Sequence, residues 1–340
     1  MRTGQNPSKS GVPAYQPKQL GIALIVYIPF LKGYFNHSLD ILKYQIASLY
    51  EHTNQDFDLL VFDNGSCPEV VNVLIDLSNE NIIEWLVLSK NNLGKVGAWN
   101  WIFGSLPNEY ICYADSDVFF RQGWLEASLG IIDAFPKVGM VSAQPTFHDV
   151  LNGEGKAHLQ FKGDKNFESE IYRPDERIVE EYCQGIGADE ELSARFYNME
   201  LPGITNLRSS ITAVLGATHM QFIIPRDLAR RLIPLPVSKG LYRKETMSLD
   251  HKIDELGYLH LSTKDNYVMH MGNMVSAKLL SEVQNLDGPI EINTNLENLV
   301  LSNKTGLFRI VLRLSRIPTI NQFFLNVYDF LYRVLYVEKQ

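Results

Sequence analysis

The sequence predicts an α/β fold: a mostly parallel sheet flanked by helices, with a C-terminal helical appendage. Short β-rich apolar runs alternate four times with stretches whose apolar residues recur at helical spacing. Parallel strands need such crossovers and are buried on both faces. Two of the strands end in acids, Asp63 and Asp115, at the carboxyl ends where an open sheet of this kind holds its ligand.

The elements follow in order. GIALIVYIPF, beginning after Leu20, reads as a strand and SLDILKYQIASLYEHT as a helix. DLLVFDNGS and PEVVNVLIDLSNE repeat the pair. IIEWLVLSKNN leads into the helical VGAWNWIFGSL, and YICYADSDVFF into QGWLEASLGIIDAF. After VGMVSAQPTF the regularity breaks, and Phe147 to about Ser210 reads as a polar, acidic insertion or acceptor-side region. HMQFIIP returns as a strand, RDLARRLI as a helix, and SLDHKIDELGYLHLS as a helix closed by Gly257 and then a strand.

Of the 340 residues, 45% are hydrophobic and 21% charged, enough apolar material for a sizeable core. A formal net charge of -8 gives no footprint for a polyphosphate backbone, so nucleic acid is excluded as a main partner. Cys67, Cys112 and Cys183 lie far apart without metal-ligand or redox spacing and read as free thiols of a reducing compartment. The opening residues 1–19 are rich in Gly, Pro, Ser and Lys and read as a mobile tail, neither secretory signal nor anchor. No uncharged apolar run reaches the roughly 20 residues of a membrane span. The expectation is a cytoplasmic protein, soluble or peripheral on the inner membrane face.

The C-terminal stretch from Gly306 intersperses Arg309, Arg313, Arg316 and Arg333 among large apolar residues, and Pro318 breaks it into two helices. One reading is a basic amphipathic hairpin on an anionic membrane. The favoured one is a helix pair packed on the domain or on a second copy, because apolar helical stripes usually face a core.

The sharpest local feature is YADSDVFF, where a strand ends in Asp115-Ser116-Asp117. Hard carboxylate oxygens suit magnesium or manganese; alone, such a pair also occurs in turns and caps. Asp63 ends the second strand before Asn64-Gly65-Ser66 and equally suits an Asx-turn or a cap for the next helix. In NNLGKVGAWN, Gly94 and Gly97 allow close approach of backbone to a ligand and Lys95 offers charge to phosphate; a glycine-eased turn explains the segment nearly as well. Trp99, Trp101 and Trp124 lie in helical stretches and are read as core.

These motifs, in this order, resemble the family 2 glycosyltransferases over roughly Gly21 to Asn273. The resemblance implies a GT-A type nucleotide-binding sheet, a nucleotide-sugar donor (UDP-, GDP- or dTDP-sugar) and Mn2+ or Mg2+ as cofactor. It assigns Pro29 with its neighbours and Asp63 to the base or ribose, and Asn92, Gly94 and Asn100 to the segment beside nucleotide and diphosphate. Asp117 becomes the preferred metal ligand, with Asp115 nearer the ribose or a metal-bound water. His270, about 20 residues beyond Asp250 in YVMHMGN, matches a late histidine near metal or diphosphate, where Gly272 gives room. A lone histidine is equally a satisfied structural residue. The base of inverting members is an acid early in a late helix, within a Glu-Asp pair; this chain has no such pair, and Asp250 is chosen over Asp254 and Glu245. His219 or Gln221, in GATHMQFIIP, suits a hydrogen bond to a sugar hydroxyl, while His251 and His260 lack comparable context.

The expected organisation is a tail (1–19), a nucleotide-sugar binding half (20–146), an acceptor-side and catalytic half (147–275) and a C-terminal helical segment (276–340). The expected activity is inverting, metal-dependent transfer of a sugar to a hydroxyl of a saccharide, lipid-linked or protein acceptor. A non-catalytic sugar- or nucleotide-binding protein of the same fold is the alternative. A sugar nucleotidylyltransferase ranks lower, since PFLKGYFNHS lacks the glycine cluster and arginine that such an enzyme carries after its first strand.

Overall fold

The computed structural model describes residues 14–147, 163–237 and 242–290 together with positions 4, 6, 11, 161 and 292, and at 242–245 and 277 the backbone alone. The described residues all belong to one compact unit, Met1–Ile292. The amphipathic stretch that follows Gly306 lies outside the described residues.

β1 (Leu20–Val26) is an apolar run buried almost throughout. Helix α1 (Ser38–His52), β2 (Phe57–Asp63), α2 (Pro68–Asn79), β3 (Trp85–Leu88), α3 (Gly94–Ser105) and β4 (Tyr110–Asp115) follow. A short β5 (Val118–Phe120), α4 (Trp124–Ala134) and β6 (Val138–Ser142) complete the first half. β1 lies parallel between β2 and β4, with Val26 opposite Asp63 and Ile25 opposite Asp115. The chain thus runs outward through β1, β2 and β3, then crosses back to place β4 on the other side of β1. That reversal is a topological switch point, where a ligand crevice opens beyond the strand ends.

The period of two along β1 divides the core. Leu20, Ile22, Leu24 and Val26 pack with α1 and α2, while Ala23 faces the cluster of Trp99, Ile102 and Phe103 from α3. Trp99 and Trp124 are fully buried, as read from the sequence, and Trp101 is partly exposed.

The second half adds β7 (Phe167–Tyr172), α5 (Glu176–Ile186), α6 (Glu190–Tyr197), β8 (Leu201–Asn206), β9 (Ile211–Leu215) and β10 (Gln221–Pro225). It closes with α7 (Arg226–Leu232), α8 (Tyr242–Glu255), β11 (Leu259–Ser262), β12 (Val268–His270) and α9 (Ala277–Val283). The ten-stranded sheet runs β3-β2-β1-β4-β10-β6-β11-β9-β8-β7, with β12 and β5 forming a separate antiparallel pair. β3, β2, β1 and β4 are parallel, as are β6 and β11, but β10 inserts antiparallel between β4 and β6. β9, β8 and β7 extend the sheet antiparallel. The sheet is therefore parallel from β3 to β4 and mixed overall.

The irregularity expected from Phe147 to Ser210 is corrected: two helices and two strands occupy much of it, and β9 begins at Ile211. Its polar composition misled for a physical reason. β7 ends the sheet and is exposed or half-buried along its length, so FESEIY carries glutamates where a central strand carries valines. α5 buries Val179, Tyr182 and Cys183 alone, and Asp175 caps it by accepting from the Arg177 N–H.

Candidate active site

Beyond the switch point lies a cleft of about 1010 Å³, within the range that encloses ligands of nucleotide size. Asp115, Ser116 and Asp117 form one wall. They stand where β4 turns into β5, so their side chains begin where the backbone ladder ends. Asn64, Asn92, Gly94 and Lys95 come from the loops after β2 and β3. Gln184 to Gly187 of α5 and His270 to Met274 after β12 face them.

Lys95 lies 2.7 Å from one carboxylate oxygen of Asp115 and 2.8 Å from the other. The Tyr113 hydroxyl also donates to Asp115, and the Lys95 ammonium sits 5.2 Å from the Tyr113 ring and 5.5 Å from that of Trp99. A buried lysine is thus paired with carboxylate and π-faces instead of being left uncompensated.

Pairing of β5 with β12 sets Val118 opposite His270, which brings the histidine to the acid turn. His270 Nε2 is 3.1 Å from Asp117 Oδ2, and Nδ1 is 2.5 Å from the Gly185 carbonyl oxygen. Burial opposes the charged imidazole, but Asp117, Asp115 and the Gly185 carbonyl outweigh it and raise its pKa to about 9. The carbonyl fixes which ring nitrogen faces Asp117, the arrangement by which an outer partner orients a metal-binding imidazole.

Asn92 accepts from the Asn64 amide at 3.0 Å and from the Gly94 N–H at 2.8 Å, while Asn64 accepts from the Leu93 N–H at 2.7 Å. The two asparagines therefore lock the β2 and β3 loops together at the cleft. Gly94 adopts φ of 72°, a left-handed backbone that favours glycine.

The remaining predicted residues stand elsewhere. Asp63 is buried and accepts from the Gly65 and Ser66 N–H groups of its own turn. Asn100 clasps the Leu235 backbone, donating at 2.9 Å and accepting at 2.7 Å. Pro29 follows Ile28, which lines the cleft while Pro29 is absent from its wall. Asp250, on α8, lies outside the cleft wall with Oδ1 2.9 Å from His219 Nε2 and 3.6 Å from His260 Nδ1. Burial raises its pKa, but the neighbouring His219, followed by His260 and His251, brings it below the usual carboxylate range. The side chain of Glu245 lies outside the described residues.

Sequence reasoning passed over Tyr113, Asn64 and the Gln184–Gly187 turn as site residues. The turn carries a signal, since Gly185 and Gly187 stand close together in an otherwise acidic helix. An alanine at Gly185 would set its Cβ 2.7 Å from the His270 Cβ.

The acid turn, the lysine and the imidazole thus share one switch-point cleft of an α/β sheet. A family model described as Glycosyl transferase family 2 matches residues 30–187, from the loop after β1 to the end of α5. Over that span the chain is similar to this family. No curated protein matches the sequence. Among solved structures, the mannosyltransferase PcManGT from Pyrobaculum calidifontis, in complex with GDP-Man and Mn2+, is similar at 14% identity and a TM-score of 0.45. That likeness covers 79% of this chain and 60% of the mannosyltransferase, so the chain spans well under two thirds of it. S. aureus TarS 1-349 is similar at 14% identity and a TM-score of 0.43, covering 80% of this chain and 67% of that one. Among the described residues no helix is long and apolar enough to cross a membrane.

Proposed function

We propose that this protein transfers a sugar from a nucleoside-diphosphate sugar to an acceptor hydroxyl. The observation that carries the reading is the convergence of Asp115, Asp117, Lys95, Asn92 and His270 on one cleft at the switch point. The family match over residues 30–187 supports it.

Asp117 and His270 offer a carboxylate oxygen and an imidazole nitrogen on the same wall; the carboxylate is the hard donor that suits Mn2+ or Mg2+, and a nitrogen beside it would favour Mn2+ of the two. Among the described residues no three metal-ligating side chains gather. These two groups fit a cation that takes its other ligands from phosphate oxygens and water, as magnesium-type ions commonly do. Asp115, held by Lys95 and Tyr113, is placed to orient the loop and the ribose side. When bound, the cation offsets negative charge on the departing diphosphate.

The chain's own residues do the rest. Lys95 adds positive charge beside the acids, and the Asn64–Asn92 lock shapes the nucleotide wall. In the inverting reaction the acceptor oxygen bonds to the anomeric carbon as the bond from that carbon to the β-phosphate oxygen breaks. The electron pair leaves with the nucleoside diphosphate, and the acceptor proton goes to a base. The basicity is assigned to the buried, ionised Asp250 and its imidazole neighbours. Three free thiols, Cys67, Cys112 and Cys183, support a reducing, cytoplasmic setting.

Heat-denaturation shifts with UDP, GDP, dTDP and CDP, with and without manganese, test the donor site in wild type and Asp117→Ala. A ligand that binds the native state alone raises its stability. The expected result is a manganese-dependent shift for one nucleotide that the substitution removes. No shift with any of them overturns the reading, and a shift without turnover of the matching nucleotide sugars favours a non-catalytic binding protein.

A further inference from the structure

Asp250 carries the negative charge of the base site, yet its carboxylate points at two imidazoles. Oδ1 lies 2.9 Å from His219 Nε2 and 3.6 Å from His260 Nδ1, and the Asp250 side chain is 14% exposed against 25% for His219. Of the pair, His219 is the member nearer solvent.

The sheet register places His219 at the cleft end of the sheet. β10 runs antiparallel to β4 with Gln221 opposite Ala114, and the Met220 carbonyl accepts from the Asp115 N–H at 2.8 Å. His219 precedes Met220 and so stands at the sheet end that carries Asp115, Ser116 and Asp117. Its ring lies 6.1 Å from that of Trp99, and the other neighbours of Trp99 include Lys95, the lysine on Asp115. His219 is thus one buried ring away from the donor cleft without lining it. An in-line displacement sets the attacking hydroxyl and its base on the face of the sugar ring opposite the leaving group.

We propose that His219 is the catalytic base that takes the acceptor proton and that Asp250 is its positioning residue. This assignment rests on the transferase reading above. With Nε2–H donated to Asp250, the lone pair on Nδ1 receives the proton from the acceptor hydroxyl as its oxygen bonds to the anomeric carbon. The bond to the β-phosphate oxygen breaks, and its electron pair leaves with the nucleoside diphosphate. The imidazolium is stabilised by Asp250 and afterwards returns its proton to water. A carboxylate that fixes the tautomer and stabilises the charged imidazole is the division of labour found in His–Asp catalytic pairs.

The groups that tune His219 are Asp250 of α8, then His260 of β11, which reaches Asp254 Oδ1 at 3.4 Å through Nε2. His251 of α8 acts on Asp250 by charge, and Lys95 lies behind Trp99.

The test compares wild type, His219→Gln, Asp250→Asn and Asp250→Glu. Two readouts are taken: calorimetric binding of UDP, GDP and dTDP, and release of nucleoside diphosphate from a panel of UDP-, GDP- and dTDP-sugars with water as acceptor, from pH 5 to 9. His219→Gln is expected to bind nucleotide as wild type does while turnover falls by about 10²–10⁴-fold and loses its dependence on a basic group. Asp250→Asn shifts that pH limb, and Asp250→Glu restores part of the rate. Unchanged turnover and pH limb in His219→Gln, with both lost in Asp250→Asn, make Asp250 the base and overturn the assignment. A wild type that binds nucleotide but turns over no donor also overturns it. A wild type that binds no nucleotide refutes the transferase reading instead.

Discussion

Lys95 spans both carboxylate oxygens of Asp115, at 2.7 and 2.8 Å, with its own side chain 7% exposed and that of Asp115 28% exposed. The pair couples the helix that follows β3 to the strand that ends in the acids. Lys95→Met removes the compensating charge and leaves the carboxylate half-buried. The expected loss is about 2 kcal/mol in urea unfolding, below the roughly 3–5 kcal/mol of a fully buried broken pair, because water reaches Asp115. Adding Asp115→Asn is expected to recover part of it, and a double-mutant cycle measures the coupling. Nucleoside diphosphate binding weakens in Lys95→Met, as calorimetry would show.

Gly185 is packed so tightly that an added Cβ would meet His270 Cβ at 2.7 Å and the His270 carbonyl oxygen at 3.0 Å. Backbone cannot yield as a flexible side-chain end does. Gly185→Ala is therefore expected to displace His270 from Asp117, at an overpacking cost of about 1–3 kcal/mol. The readout is the manganese-dependent part of the nucleotide-induced stability shift, which should shrink. Gly187→Ala is the control. Its φ of 64° is strained for alanine, yet nothing lies within 4 Å of the added Cβ, so stability falls while that shift stays.

The parallel end of the fold was legible because its strands are largely buried and its acids fall at strand ends. Asp115, Asp117, Lys95, Asn92, Gly94 and His270 were named from sequence and meet in one cleft. Asp63 and Asn100 were named equally readily, but Asp63 bonds its own turn and Asn100 bonds the distant Leu235. A carboxylate followed by Asn-Gly-Ser serves its own turn before any ligand, and no sequence pattern showed that Asn100 would clasp Leu235. In the second half the elements from β10 to β11 were read correctly, but the stretch from Phe147 to Ser210 was illegible for a different reason. β7 lies at the antiparallel end of the sheet, exposed or half-buried and rich in glutamate, while β8 and β9 are short strands paired beside it. The partnership of His219 with Asp250 depends on β10 lying beside β4, a long-range pairing that periodicity cannot reveal.

Asp63→Ala separates the local role of this residue from a direct role at the nucleotide. Its carboxylate holds the turn whose next residue, Asn64, joins Asn92 across the cleft. Loss of these bonds is expected to cost about 1 kcal/mol and to loosen the Asn64–Asn92 lock. Asn64→Ala should then weaken nucleotide binding as much as Asp63→Ala does, and the double variant little more. Additive losses in calorimetry would show that Asp63 acts at the ligand by itself.

Arg121 binds Glu181 of α5 and Glu282 of α9 at 2.9 Å each, and Lys278 also pairs with Glu181. The same α5 carries Gly185 to His270, so the cluster braces the far wall of the cleft. Burial raises the pKa of Glu181, but the hydrogen bond from Arg121 and then Lys278 outweigh it, leaving the net pKa below the ordinary 4.5. A depressed folded-state pKa contributes stability that is present above the unfolded value and is lost as the pH falls through the folded one. Wild-type melting temperature should therefore drop on the acid side of that ordinary value. Arg121→Met is expected to lower stability at neutral pH by about 3 kcal/mol and to narrow its gap to wild type as acid protonates Glu181 in both. Melting curves from pH 7 to 3 check this, and a constant gap would mean that Arg121 acts by packing alone.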